Sequence, residues 1–192
     1  DAIVRLTKVT SCGTDLGIWH GKNPEIERVA KEKTGSFNGR ILGHEGVGVV
    51  EEVGLAVRRW KKGDKVIISC VSRCGKCENC QKQLYAHCQD KDGSWIMGYM
   101  IDGTHAEYVR TPFADNSLYP LPDDLDTDIA VLLSDALPTA HEIGVQYGGV
   151  RPGQTIAIVG AGPVGMGALL TAQLYTPAEI IVIDLDDNRL AM

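Results

Sequence analysis

The sequence predicts an α/β chain in two parts, a β-rich segment over the first two thirds and then the opening of a doubly wound parallel sheet. Three observations carry this. Short β-rich runs, AIVRLTKV, VGVVEEVG, DKVIIS and AEYVRT, each end in glycine, proline or polar turn residues. Around Asp126 and Thr127, a plausible helix cap, the pattern changes, and in IAVLLSDAL and PTAHEIGVQYGG apolar residues recur at helical spacing. Finally, the apolar run TIAIVG, a glycine-rich turn, a helix through GMGALLTAQLY and a second apolar run IIVIDL make one βαβ unit. The domain boundary is expected near Ala136, giving domains 1–136 and 137–192, with a cysteine lobe at 70–90 inside the first. No internal repeat or low-complexity segment is evident.

Composition narrows the function classes. A hydrophobic fraction of 44% with 23% charged residues is that of an ordinary globular protein. The apolar stretch from Thr155 to Ala172 is interrupted by glycines and a proline, and the opening DAIVRLTKVT lacks a basic-then-apolar signal pattern, so no membrane partner and a cytoplasmic setting are expected. The net charge of −6 offers no basic footprint for a phosphate backbone, which argues against nucleic acid.

Four of the six cysteines, Cys74, Cys77, Cys80 and Cys88, follow the pattern C-x2-C-x2-C-x7-C. Such spacing lets four thiolates converge on one tetrahedral ion, and a site with four protein ligands has no open position, so its metal is structural. It would supply folding free energy to a hydrophilic loop carrying Lys76, Glu78, Asn79 and Lys82. An iron–sulfur cluster is the rival, but the fourth cysteine lies far along and no proline follows it. His87 could replace a sulfur, although adjacent Cys88 makes that unnecessary, and His87 is read as a surface residue.

In the turn GAGPVG, Gly160, Gly162 and Gly165 directly follow a buried-type strand, with Pro163 and Val164 between them opening a helix. The glycines permit a tight turn, close approach of a pyrophosphate and close helix packing. Asp184 ends the next apolar strand, where a carboxylate can accept both ribose hydroxyls of NAD and repel the extra phosphate of NADP; Arg189 nearby can serve either cofactor.

Near the start, SCGTD places Cys12 after a strand, and ILGHEGVG places His44 and Glu45 at the start of another. Each alone is weak, since a single cysteine or histidine is more often simply packed. Together, in the order Cys12, GHExxG, four-cysteine lobe and GAGPVG, they resemble the zinc-containing medium-chain alcohol dehydrogenase family over essentially the whole chain. The resemblance implies a GroES-like catalytic domain followed by the N-terminal part of a Rossmann domain. It implies two zinc ions, one catalytic and one structural, NAD as cofactor, an alcohol or aldehyde as substrate, and a homo-oligomer, dimer or tetramer. By the same resemblance Cys12 and His44 are catalytic-zinc ligands and Asp135 the third, with Cys70 as the alternative. Glu45 would enter the coordination sphere when water or substrate leaves. Asp15 would hold the liganding imidazole, Thr14 would carry the alcohol proton outward, Thr139 would lie near the nicotinamide and Arg189 along the adenosine ribose. Relatives often have histidine where this chain has Gly17, which puts the outer proton relay in doubt; His20 is read as exposed. Trp19, Trp60 and Trp95 are pocket-lining or packing candidates, and the charged stretch 26–36 is read as a solvated insertion. The resemblance also implies a longer protein of two complete domains, so these 192 residues alone are expected to be inactive. A zinc-ribbon interaction module and a non-catalytic nucleotide-binding relative are the alternatives.

Overall fold

The computed structural model describes residues 1–22, 28 and 39–192; apart from Arg28, the stretch 26–36 lies outside the described residues. The chain divides into two compact units, Asp1–Ser134 and Asp135–Met192.

The first unit is built on a five-stranded antiparallel sheet of β1 (Ala2–Thr10), β2 (Glu45–Val53), β3 (Lys65–Ile68), β6 (Tyr108–Thr111) and β7 (Leu118–Pro120). Its spatial order is β6-β1-β2-β3-β7. Short strands β4 (Val71–Ser72) and β5 (Ser94–Trp95) form a separate pair. Period-two alternation turns Ala2, Val4, Val50, Val66, Ile68 and Val109 onto one face, where they form the main core with Met97 and Leu118. Val47 and Ile67 point the other way and meet Val131 and Leu121. The β1–β2 register slips between Leu6 and Lys8, leaving Thr7 as an extra residue. Such a bulge bends a strand and re-aims the residues after it. Past the bulge Thr10 pairs with Glu45, and the chain leaves the sheet with Cys12 beside the start of β2.

The segment after Asp126 is helical, as its spacing predicts, but not continuously so. It runs as an α-turn (Thr127–Ala130), a 3-10 turn (Val131–Ser134), a second α-turn (Ala136–Thr139) and a π-helical stretch (Ala140–Gln146). The first break falls at Asp135, whose φ of −150° and ψ of −62° are not helical.

In the second unit, β8 (Thr155–Val159) and β9 (Glu179–Ile183) pair in parallel, joined through the Pro163–Ala172 helix. The π-helical stretch packs on that helix through small residues: a Cβ added at Gly167 would lie 2.8 Å from the Ala140 Cβ. Among the described residues no helix is long and apolar enough to cross a membrane.

Candidate metal centres and dinucleotide turn

Cys12 sits at the N-cap of the Gly13–Trp19 helix, and His44 immediately precedes β2. One side chain joins the two segments. Asp15 is 3% exposed, and its Oδ2 accepts the Cys12 backbone N–H at 2.8 Å while its Oδ1 accepts the Gly43 N–H at 3.0 Å. The same Oδ1 lies 3.4 Å from His44 Nδ1. Burial raises the cost of the Asp15 charge, but contacts from His44, Cys12 and Gly43 outweigh it and hold the carboxyl below its usual range. With Nδ1 turned to this carboxylate, Nε2 is the nitrogen left to face a metal.

Gly43, directly before His44, is closely packed. A Cβ added at Gly43 would lie 2.5 Å from the His105 ring, and one at Gly103 would lie 1.9 Å from the Gly43 carbonyl. Gly43 also has a φ of +92°, which L side chains rarely adopt. The glycine of GHE is therefore required by position as well as by space. Trp95 presents its ring to His44 in an edge contact at 5.4 Å and stacks on Tyr99 at 4.9 Å.

Cys12, His44 and Glu45 each offer a ligand atom, and these lie within 4.8 Å of one another, a spacing one ion can bridge. His44 and Glu45 are 1% and 4% exposed, and the Thr10 hydroxyl bonds the Glu45 carboxylate. Thr14 is an exposed residue, and its hydroxyl lies 3.5 Å from His44 Nε2. A side chain built at Gly17 would meet nothing within 4 Å, and His20 is exposed. Asp135 opens the second unit, and its carboxylate accepts the Thr139 hydroxyl. Cys70 lies in the turn between β3 and β4, its backbone N–H given to the Ser134 carbonyl. Trp19 is 77% exposed, whereas Trp60 packs against the main core and donates its Nε1–H to the Ala114 carbonyl.

The four remaining cysteines also converge. Zinc–sulfur bonds of about 2.3 Å set tetrahedral sulfur–sulfur edges of about 3.8 Å. Cys74 and Cys80 Sγ are 3.9 Å apart and Cys77 and Cys88 Sγ 4.0 Å, far beyond a disulfide and close to those edges. Backbone N–H groups point at the sulfurs: Cys77 N–H at Cys74 Sγ, and both Cys80 N–H and Gln89 N–H at Cys77 Sγ. The last two favour thiolate, so Cys77 is lowered to about 6, led by Gln89, while burial pushes Cys80 up to about 12. One sulfur is thus ready to bind and another is buried as a thiol that only a metal would deprotonate at neutral pH. His87 is exposed; its carbonyl accepts from the Asn79 side chain and its backbone N–H donates to the Leu84 carbonyl.

Two fixtures, one at each centre, were not singled out in the sequence. Arg73, directly before Cys74, stacks on Tyr85 at 4.1 Å and donates to the Asn116 carbonyl and Tyr119 hydroxyl, both at 2.7 Å, tying the lobe to β7. Ser134 closes two hydrogen bonds with Gly46. Both act across more than 40 residues of chain and leave no local pattern.

In the second unit the glycine turn links β8 to its helix. Gly160 has a φ of +104°, Pro163 opens the Pro163–Ala172 helix and Val164 follows. A Cβ at Gly165 would lie 1.8 Å from the Gly160 carbonyl, whereas one at Gly162 would meet nothing within 4 Å. The turn is closed at Gly165 and open at Gly162. Asp184 accepts the Ala161 N–H at 2.6 Å and the Asp186 N–H at 3.0 Å, led by Ala161 in holding its carboxyl below the usual range. Arg189 Nη1 is 3.7 Å from Asp184 Oδ2.

The sheet, the four-cysteine cluster and the Cys12–His44 pair, taken together along the chain, can be compared with known proteins. Residues 1–123 match the alcohol dehydrogenase GroES-like domain. An alcohol dehydrogenase of Cupriavidus necator is 35% identical over 99% of this chain and 52% of its own length. Zinc dependent alcohol dehydrogenase 2 from Streptococcus pneumonia, solved in an apo form, is 55% identical with a TM-score of 0.88, matching 99% of this chain and 50% of that one. An alcohol dehydrogenase from Thermus sp. ATN1 is 35% identical with a TM-score of 0.86, over 99% and 52% respectively. The chain belongs to the alcohol dehydrogenase family with a GroES-like domain. It spans about half the length of the curated relatives it matches.

Proposed function

We propose that the protein is a zinc-dependent oxidoreductase that transfers a hydride between an alcohol and NAD, with an aldehyde or ketone as substrate in reverse. The observation that carries this is the Asp15 carboxylate, which binds the Cys12 segment, the Gly43 backbone and the His44 ring at once. Such a group orients a liganding imidazole and fixes its tautomer. Asp135 is the third protein ligand, supported by its place directly after Ser134, which is bonded to the residue following Glu45. Zinc bound there supplies a Lewis acid that eases loss of the alcohol proton and polarises a carbonyl. Thr14 receives that proton and, being exposed, passes it to water, with Gly17 offering no side chain to extend the relay. Glu45, held by Thr10, is the reserve carboxylate of the site. The Cys74, Cys77, Cys80 and Cys88 centre holds a structural zinc.

Around the cofactor, Gly160, Gly162, Pro163, Val164 and Gly165 cradle the pyrophosphate, and Asp184 takes the ribose hydroxyls and disfavours NADP. Arg189 lies along the ribose and Thr139 near the nicotinamide. We place the protein in the cytoplasm as a homo-oligomer, dimer or tetramer. The deciding experiment pairs metal analysis with a panel of alcohols and aldehydes assayed with NAD and NADP on the full-length protein. Two zinc ions per chain with NAD-dependent turnover supports the reading. One zinc and no turnover would instead favour a zinc-ribbon module.

A further inference from the structure

We propose that Ser134 is a positioning residue for the open metal centre, its hydroxyl fixing the point from which the chain delivers Asp135; this rests on Asp135 being a zinc ligand. Ser134 is 2% exposed. Its Oγ donates to the Gly46 carbonyl at 3.0 Å and accepts the Gly46 N–H at 3.1 Å, a closed pair between residues 88 apart in sequence. Its own carbonyl accepts the Cys70 N–H at 3.1 Å. The last residue of the first unit is thus bonded on both sides, to β2 and to the turn after β3.

The chemistry asks for serine. A hydroxyl both donates and accepts, so one small side chain satisfies both backbone groups of a single residue. The partner glycine is closely packed: a Cβ at Gly46 would lie 2.9 Å from the Leu6 side chain and 3.2 Å from that of Thr104, so both would have to shift. Gly46 follows Glu45 and is two residues from His44. Ser134 therefore fastens the strand end that carries His44 to the residue that precedes Asp135. Asp135 has non-helical dihedrals, so no regular ladder sets its direction; its carboxylate accepts the Thr139 hydroxyl and its carbonyl the Thr139 N–H. Metal ligation tolerates only about 0.2 Å of error in bond length, and an anchor one residue away, about 3.8 Å between Cα atoms, is close enough to decide it.

The test uses the full-length, zinc-loaded protein and follows transfer of zinc to 4-(2-pyridylazo)resorcinol. Wild type should release zinc in two phases, a faster one from the open centre and a slower one from the four-cysteine centre. Ser134→Ala should speed the fast phase by roughly tenfold or more, as loss of a supporting hydrogen bond does at other metal sites, and leave the slow phase unchanged. Val131→Ala, in the same 3-10 turn and 1% exposed, loses packing without touching the hydroxyl and should lower Tm while leaving both phases alone. If Ser134→Ala melts below the assay temperature, both phases are measured in sucrose, which favours the folded chain. A fast phase within twofold of wild type in Ser134→Ala, or equal acceleration in Val131→Ala, overturns the role of Ser134 while the dehydrogenase reading stands. A wild type that holds a single zinc removes that reading itself.

Discussion

At the scale of single residues the site depends on groups that do not themselves touch the reacting atoms. Asp15 accepts from two backbone segments and faces His44, so a change to asparagine keeps the shape but replaces one acceptor oxygen with a donor. That donor would face either an N–H or the Nδ1–H it should accept from. Asp15→Asn is expected to lower zinc affinity at the open centre by about 10–100-fold with the structural zinc retained, read by metal analysis after graded chelation. Asp15, like Thr14, was legible only by resemblance to a family, because its partners Cys12 and Gly43 lie on either side of it and 28 residues separate the second. Ser134 and Arg73 were not legible at all. A serine after two leucines and an arginine before a cysteine carry no periodicity that would mark them, and their partners are set by tertiary packing.

At the scale of elements, the glycine turn separates folding from binding. Gly165 meets the Gly160 carbonyl, so Gly165→Ala should destabilise the second unit by about 1–3 kcal/mol, the usual cost of forcing a methyl into filled space. Gly162 has open space and an ordinary φ of −77°, so Gly162→Ala should leave Tm nearly unchanged and instead weaken NAD binding by occupying the volume a pyrophosphate needs. Calorimetric melting and NAD titration of the two variants should give opposite rankings; equal loss of NAD affinity with equal stability would refute the division. The four-cysteine lobe behaves likewise as a unit. Its elements are a single α-turn (Glu78–Gln81) and a 3-10 turn (Tyr85–His87), too short to persist without the metal centre. Cys80→Ser should release one zinc per chain and expose Cys74 and Cys88, now buried, to thiol reagents. The lobe could be read from spacing because its ligands are local. The helical region after Asp126 was read only in outline: apolar spacing marks a helix, but not the interruption at Asp135, where the Ser134 side chain turns to Gly46.

At the scale of the whole molecule, the β-rich first part and the βαβ second part follow from alternation and from the strand–turn–helix order, and both are present. The sheet order β6-β1-β2-β3-β7 was not legible, since pairing of β1 with β6 spans about a hundred residues and depends on which faces meet. The two units also differ in how completely they bury their strands. Val4, Val50, Val66 and Ile68 in the first are fully buried, whereas no residue of β8 or β9 is; Val159 is 83% exposed, Ile183 50% and Ile181 44%. Parallel strands are ordinarily covered on both faces, and two of them are marginal alone. The first unit thus buries its sheet in a core of its own, while the second presents apolar strand faces to solvent. On the proposed function, a polypeptide of these 192 residues is expected to bind zinc through its four clustered cysteines, to self-associate through the exposed faces of the second unit, and to produce negligible NADH from alcohols. Metal analysis, sizing chromatography and NADH absorbance on it and on the full-length protein side by side check this. Turnover by the shorter chain comparable to that of the full-length protein would show that two strands suffice to hold the cofactor.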